Sequence, residues 1–337
     1  MSGAVLVTGG AGYIGSHVSL ALLDAGERIV VLDDLSTGRR EAVPEGVAFV
    51  EGRVEDRELV ADVISDHRVT AVMHLAASIS PPESLARPGS YYRNNTVATL
   101  ALLETLSMCG MPYLVFSSTA AVYGEHPEKL VGETAPLRPT TPYGASKAMA
   151  ERMIADVAAS SHLAWAALRY FNVGGADPLG RGGRGGHGGE VAHNLIDVAI
   201  EAALGRRTAV PVFGIDYGTP DGTCIRDYIH VSDVASAHLR VLDQLRAGVA
   251  LNRPLNCGYG HGSSVFEVLA SLERVSGVQV RRDYAPRRPG DVACVIAESS
   301  PLRELGWAPC RADLDLIVGD AFRWAQQQSA QRVTAAP

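Results

Sequence analysis

Tyr143 and Lys147 stand four residues apart in the run Tyr143-Gly144-Ala145-Ser146-Lys147. On a helix that spacing puts both side chains on one face. A free phenol has a pKa of about 10 and is a poor base near pH 7. An ammonium beside it favours the phenolate and draws that pKa toward neutrality. The pair can therefore act as a general base toward a substrate hydroxyl. The same spacing also suits a ring packed on a lysine stem. Which reading holds depends on what the rest of the chain brings to the pair.

The N-terminal elements supply a reason for a base. Ala4-Val5-Leu6-Val7 is a short apolar run that enters glycines at once, as a parallel strand buried on both faces does. Gly9, Gly12 and Gly15 follow, with a helical pattern through about Ala25. Such glycines allow a tight turn, close backbone approach to a pyrophosphate and close helix–strand packing. The free N–H groups and positive dipole end of the following helix suit that anion. Asp33 closes the next apolar run, Ile29-Val30-Val31-Leu32, about 20 residues further on, where a carboxylate can bind ribose hydroxyls. It would repel a 2′-phosphate, which favours NAD over NADP. Asp34 lies beside it.

The alternation of strand and helix continues. Val47–Val50, Ala71–His74, Tyr113–Phe116 and Ala164–Leu168 read as strands; Asp56–Asp66, Tyr91–Met108 and the stretch opened by Tyr143 read as helices. This is the pattern of an α/β fold with a doubly wound, Rossmann-type parallel sheet. Ligands in such sheets bind at the carboxyl ends of strands, where Gly9, Asp33, Ala76 and Thr119 all fall. His74 reads as a packed strand-end histidine. After Asn172 the pattern loosens, so residues 1–173 are expected to form the nucleotide domain. Residues 174–330 are expected to form a smaller α/β substrate domain, with segments near 224–248 able to pack back on the first. The glycine-rich Gly180–Gly189 run reads as a surface loop or a mobile flap over substrate.

Bulk properties narrow the function classes. The chain has 337 residues, enough for about two domains and a sizeable core. Lys+Arg 30 against Asp+Glu 37 gives a net charge of −7, which argues against a general nucleic-acid surface. Five scattered cysteines without C-x-x-C spacing fit reduced thiols in a reducing compartment. With no long apolar run and no basic leader, a cytoplasmic protein with no membrane partner is the expectation.

Taken together, the motifs identify a resemblance. The chain resembles the extended short-chain dehydrogenase/reductase family, and most closely its UDP-galactose (UDP-glucose) 4-epimerases. The similarity is carried by VTGGAGYIGSH at Val7–His17, VLDDLSTG at Val31–Gly38, YYRNNTVATLALLE at Tyr91–Glu104 and FSSTAAVYG at Phe116–Gly124. It continues through TPYGASK at Thr141–Lys147, LRYFNVGGADP at Leu168–Pro178, VFGIDYGTPDGTCIRDYIHVSDVA at Val212–Ala235 and APRRPGD at Ala285–Asp291. The resemblance implies that Tyr143 is the base, with Lys147 its pKa-lowering partner and a ligand of the nicotinamide ribose. Thr119 would hydrogen-bond the reacting oxygen. Gly9, Gly12, Tyr13, Ile14, Gly15, Asp33, Asp34, Val54, Leu75, Ala76, Ala77, Asn94, Ser117, Tyr170 and Phe171 would contact NAD. Asn172, Asn194, Leu195, Phe213, Arg226, Arg288, Asp291 and Val295 would join Thr119 and Tyr143 around a UDP-sugar. The residue types fit those roles: forked arginine donors suit a diphosphate, and Phe213 suits the flank of a uracil ring. No metal site is implied.

The resemblance also implies an activity, inversion of C4 of a UDP-hexose by transient hydride transfer to bound NAD. Three positions depart from the family pattern. Arg53 stands where an acidic residue is usual near the adenine, and Ile79 where some members carry a lysine. Val295 is small, which leaves room for an N-acetyl group on the sugar. A 4,6-dehydratase would need an Asp-Glu pair after Thr119, where this chain has Ala120-Ala121. UDP-uronic acid 4-epimerases or decarboxylases are nearer rivals, and a nucleotide-binding scaffold is the non-enzyme alternative. The resemblance further implies a homodimer built on the helices beginning near Tyr91 and Tyr143, with Ala98, Leu102, Ala148 and Met149 compatible with that interface or with a core face.

Overall fold

The structure is a computed structural model that describes residues 3–126, 128–183, 194–288 and 290–334. The run after the first glycine forms the central strand, Ala4–Thr8, with no side chain more than 2% exposed. Seven parallel strands make the main sheet, in the order Arg253–Cys257, Ala164–Tyr170, Tyr113–Thr119, Val69–His74, Ala4–Thr8, Ile29–Asp33, Ala48–Glu51. From Ala4–Thr8 the chain winds outward through Ile29–Asp33 and Ala48–Glu51. It then returns to Val69–His74 on the other side. The direction reverses at the end of the first strand, where Gly9 and Ala76 face one another. A doubly wound sheet binds its ligand at this kind of crevice.

Alternation along each strand feeds two apolar layers. Val5 and Val7 pack with helices Tyr13–Asp24 and Val231–Arg246 on one face. Leu6 packs with helices Arg57–His67, Ala98–Met108 and Pro142–Ala159 on the other. Parallel strands buried on both faces need such continuous apolar runs. The helix expected over Tyr91–Met108 is present as three continuous pieces, Pro88–Tyr91, Tyr92–Val97 and Ala98–Met108, the middle one wound as a π-helix.

The second half builds over the carboxyl ends of the strands. Helices Leu195–Ala203, Val265–Ser276 and Leu314–Thr334 pack together there. Strand Val210–Phe213 pairs with Arg282–Ala285, and Ile225–Arg226 pairs with Ser263–Ser264 and Cys294–Ala297. The chain re-enters the first layer in between. Helix Val231–Arg246 packs on helix Tyr13–Asp24, and Arg253–Cys257 completes the main sheet. We propose a domain division near residue 173 in which 231–257 returns to the nucleotide unit. Of the glycine-rich run, residues 184–189 lie outside the described residues.

Candidate active site

The glycine turn is built for close approach. Gly9 has φ +70°, and a Cβ there would meet the Ala76 backbone nitrogen at 2.6 Å. A Cβ at Gly15 would lie 2.1 Å from the Gly9 carbonyl oxygen. Helix Tyr13–Asp24 starts at Gly12 with no side-chain cap and no acid in its first turn. Its N-terminus and positive dipole end suit an anion. Asp33 is 8% exposed at the end of the neighbouring strand. Its Oδ2 accepts the Ala11 N–H at 2.9 Å and its Oδ1 the Leu35 N–H at 2.9 Å. Burial pushes this carboxyl above its ordinary range, and the two backbone donors oppose that rise. Asp34 turns to Ser36, accepting its N–H at 3.0 Å and its hydroxyl at 2.5 Å. A glycine cradle, an uncapped helix and a fixed carboxylate one strand away fit a dinucleotide's pyrophosphate and ribose.

Tyr143 sits in the first turn of helix Pro142–Ala159. Thr141 caps that helix by accepting the Gly144 N–H at 3.3 Å, and Pro142 opens it. A Cβ at Gly144 would lie 2.4 Å from the Ala121 carbonyl oxygen, so only glycine lets the helix start seat against the turn after Thr119. That seat brings the Thr119 hydroxyl close enough to the Tyr143 phenol to act on its ionisation. Thr119 Oγ1 also accepts the Ala121 N–H at 3.1 Å, which leaves its own proton free for the phenol oxygen.

Lys147 lies beneath this pair. Its Nζ donates to the Ser117 carbonyl at 2.8 Å and stands 4.7 Å from the centre of the Phe116 ring. It is 2% exposed, and burial pulls its pKa down to about 7. Tyr143 differs from the expectation drawn from its spacing. In the protein alone, burial pushes the phenol upward and the Thr119 hydroxyl only partly opposes it. The low-dielectric seam acts on both groups by disfavouring whichever form is charged.

A polar lattice fixes the cleft wall opposite Tyr143. The π-helical stretch lets the adjacent Asn94 and Asn95 both reach one serine. Asn94 Nδ2 donates to Ser78 Oγ at 2.9 Å, and Asn95 Oδ1 accepts the Ser78 N–H at 2.8 Å. Asn95 Nδ2 also donates to Ser146 Oγ at 3.0 Å, tying the wall to the Tyr143 helix. His74 is the packed strand-end residue expected. Its ring nitrogens meet Thr8 at 2.8 Å and Thr99 at 3.0 Å, and burial lowers its pKa to about 3. Tyr170 Oη meets His238 Nε2 at 2.5 Å.

The far end of the cleft comes from the second half. Arg288 lies 3.7 Å above the Phe213 ring centre. Arg226 Nη2 is 3.6 Å from Asp291 Oδ1, and its Nη1 donates to the Ile225 carbonyl at 2.9 Å. Asn194 caps helix Leu195–Ala203 by accepting the Asp197 N–H at 2.9 Å. Val295 is buried behind Phe171 and Tyr123 and still borders the cleft.

One cleft of about 1440 Å³ gathers these residues. The expected catalytic, NAD and UDP-sugar residues all line it except Lys147, which supports the wall from below. Arg53 borders it with its Nε held by Glu55 Oε1 at 2.5 Å, and the apolar Ile79 borders it too. Sequence reasoning missed Trp324 and Gln327, which line the cleft from helix Leu314–Thr334, far away in the chain. It also missed Glu151, one helical turn beyond Lys147, and Arg169. The 147/151 spacing was a readable signal for Glu151.

A protein-family model described as the NAD dependent epimerase/dehydratase family matches residues 5–258. A UDP-glucose 4-epimerase of Azospirillum brasilense is 54% identical over 95% of this chain and 91% of its own length. The crystal structure of a Stenotrophomonas maltophila UDP-glucose-4-epimerase, with bound NAD and formylated UDP-arabinopyranose, has a TM-score of 0.92 at 39% identity and covers 99% of this chain and 100% of its own. A UDP-Glc/GlcNAc 4-epimerase of Campylobacter jejuni has a TM-score of 0.82 at 42% identity, covering 97% and 100%.

Burying Lys147 has a consequence for stability. Between its native pKa of about 7 and the ordinary 10.5, the unfolded chain holds a proton that the native state has released. This group's cost is therefore fully present below about pH 7 and is relieved as pH rises through that window. Lys147→Met is expected to melt at a higher temperature than wild type at pH 6. The advantage should shrink toward pH 10 in scanning calorimetry.

Proposed function

The chain belongs to the NAD dependent epimerase/dehydratase family, and we propose on that premise that it inverts C4 of a UDP-hexose, interconverting UDP-galactose and UDP-glucose, with NAD held in the cleft. The observation that carries this reading is one continuous cleft with a glycine cradle and Asp33 at one end. Tyr143 and Thr119 lie at its middle, and Arg226 and Arg288 at the other end. The relatives support it, being UDP-glucose 4-epimerases by name, one of them with bound NAD and a UDP-sugar.

The chain's own residues divide the work. Gly9, Gly12 and Gly15 clear space for the pyrophosphate at a helix N-terminus, and Asp33 takes the adenosine ribose. Arg226 and Arg288 hold the substrate diphosphate, so the hexose reaches Tyr143. The Tyr143 oxygen takes the 4-hydroxyl proton, and Thr119 steadies the reacting oxygen by hydrogen bonding. NAD+ held by the glycine turn and Asp33 would supply a reversible hydride acceptor for C4 and a positive charge in the cleft. Lys147, whose ammonium lies under the pair, likewise favours the phenolate. The 4-keto sugar, tethered by its diphosphate, turns its other face, and Tyr143 returns the proton to the oxygen at C4. Ala120 and Ala121 follow Thr119, so no carboxylate stands there to drive elimination of water.

Val295 extends the reading to UDP-N-acetylhexosamines, because a small side chain at this wall leaves room beside the sugar. The Campylobacter jejuni relative, a UDP-Glc/GlcNAc 4-epimerase by name, supports this extension. Among the described residues no helix is long and apolar enough to cross a membrane. Five free thiols support a cytoplasmic location. For the homodimer, Val97, Leu100 and Met149 are exposed on the two helices in question, whereas Ala98 and Leu102 face the core. Exposed apolar side chains on adjacent helices suit a second copy.

Tyr143→Phe keeps the ring and removes the base. Its kcat for UDP-galactose is expected to fall by roughly 10²–10⁴-fold, and near-wild-type turnover would refute the assignment. Product analysis should find UDP-GlcNAc converted alongside UDP-galactose; turnover of UDP-galactose alone would remove the extension. Light scattering is expected to give a dimer for wild type and a monomer for the Val97→Glu, Met149→Glu double variant.

A further inference from the structure

Glu151 is buried beneath the Tyr143–Lys147 pair, and the reaction as derived gives it no part. It follows Lys147 by one helical turn and Tyr143 by two, on the same face of helix Pro142–Ala159. Only 5% of it is exposed. Its Oε1 accepts the Ser118 hydroxyl at 2.5 Å and Arg169 Nε at 2.9 Å, and its Oε2 accepts Arg169 Nη2 at 2.6 Å. Arg169 is 3% exposed, and its Nη1 donates to Tyr123 Oη at 2.8 Å and to the Glu133 carbonyl at 3.2 Å. Tyr123 Oη in turn donates to Asn256 Oδ1 at 2.7 Å.

The placement of these bonds sets their effect. Ser118 lies between Ser117, whose carbonyl holds Lys147, and Thr119, whose hydroxyl meets Tyr143. Arg169 pairs in register with Ser118, and Tyr170 with Thr119. One carboxylate thus links the helix face that carries the base to two strand ends that border the cleft. We propose that Glu151, clamped by Arg169, is a positioning residue for the proton-transfer pair: it seats the helix face on the Ser117–Thr119 strand end and supplies the negative charge that keeps the Lys147 ammonium protonated.

The groups around Lys147 favour this assignment. On its own helix it is flanked by Tyr143 and Glu151. Strand Tyr113–Thr119 presents the Phe116 ring and the Ser117 carbonyl. Strand Val69–His74 presents His74, which burial keeps neutral, though any charge it took up would disfavour the ammonium. Strand Ala164–Tyr170 presents Arg169, bonded to Glu151, and Tyr170, whose phenol burial keeps protonated. Glu151 is the anion of this set. Burial works against the Lys147 charge, and Glu151 works for it. A buried pair of this kind gives little net stability over an apolar one; what it supplies here is a fixed charge and a fixed geometry.

The kinetic side of this inference rests on the epimerase reading, and its spectroscopic side does not. The chain has only two lysines, Lys129 and Lys147. In protein labelled with ¹³C at lysine Cε, the buried Lys147 can be titrated beside the exposed Lys129. In Glu151→Gln, the Lys147 midpoint is expected to fall by about one pH unit. The alkaline limb of kcat should move down with it, and KM should change less than twofold. Glu151→Asp keeps the charge and should titrate near wild type. If calorimetry shows that Glu151→Gln does not fold, the double variant Glu151→Leu, Arg169→Met restores an apolar fit. It should show the same direction of shift, because Glu151, and not Arg169, is the charge that acts on Lys147. An unmoved Lys147 midpoint in a folded variant lacking the carboxylate overturns the proposal. A loss in which KM rises and the pH limb stays put also overturns it, by assigning Glu151 a packing role alone. Absence of epimerase turnover in wild type would sink the epimerase reading and leave the lysine titration to decide this one.

Discussion

A cation held in a dry seam sets the terms for the whole site. Lys147 sits between a helix and the end of a parallel strand, almost fully removed from water, with one carbonyl and one aromatic face as its nearest neighbours. Removing an ammonium from water costs several kcal/mol unless charge or hydrogen bonds offset it. The same seam holds Tyr143, one helical turn before Lys147, at the edge of the cleft. Burial also pushes the Tyr143 phenol up, so its ionisation depends on every positive charge placed near it. That dependence suits a base that acts only when an oxidised cofactor and a substrate hydroxyl are both in place.

The rest of the architecture follows from where that seam must lie. The helix can approach the strand end because Gly144 has no side chain to strike Ala121. The strand end faces the crevice because the sheet reverses direction between Ala4–Thr8 and Val69–His74. The two ends of the cleft then differ in charge. One offers the N-terminus of helix Tyr13–Asp24 beside Asp33, and the other offers the guanidinium groups of Arg226 and Arg288. In the proposed reaction these two ends sort a dinucleotide from a nucleotide sugar, each with a diphosphate, and set the hexose over Tyr143.

Legibility in the sequence tracked how local each physical cause is. The strands, the glycine cradle and Asp33 were readable because apolar runs, glycine spacing and a strand-end acid are consequences of short-range geometry. The strand Arg253–Cys257 was not placed in the main sheet, because joining it is decided by a crossover of about 80 residues rather than by local pattern. Phe213, Arg226, Arg288 and Asp291 came only through family resemblance, and their pairing with one another needed coordinates. Asn194 spends its side chain on a helix cap, a role its sequence context already permitted. Glu151 and Arg169 escaped notice because charged residues within helix and strand patterns usually mark solvated faces. Trp324 and Gln327 escaped because only the packing of the last helix brings them to the cleft.

The central claim is that the 4-hydroxyl oxygen gives up its proton, that C4 gives up a hydride from one face, and that the hydride returns to the other face without leaving the protein. It is tested most directly with UDP-galactose carrying deuterium at C4, incubated in ordinary water with the purified protein loaded with NAD and then freed of excess cofactor. The account predicts UDP-glucose with the deuterium retained at C4 and no requirement for added NADH. Loss of the label to solvent, or turnover only with external reductant, would contradict it.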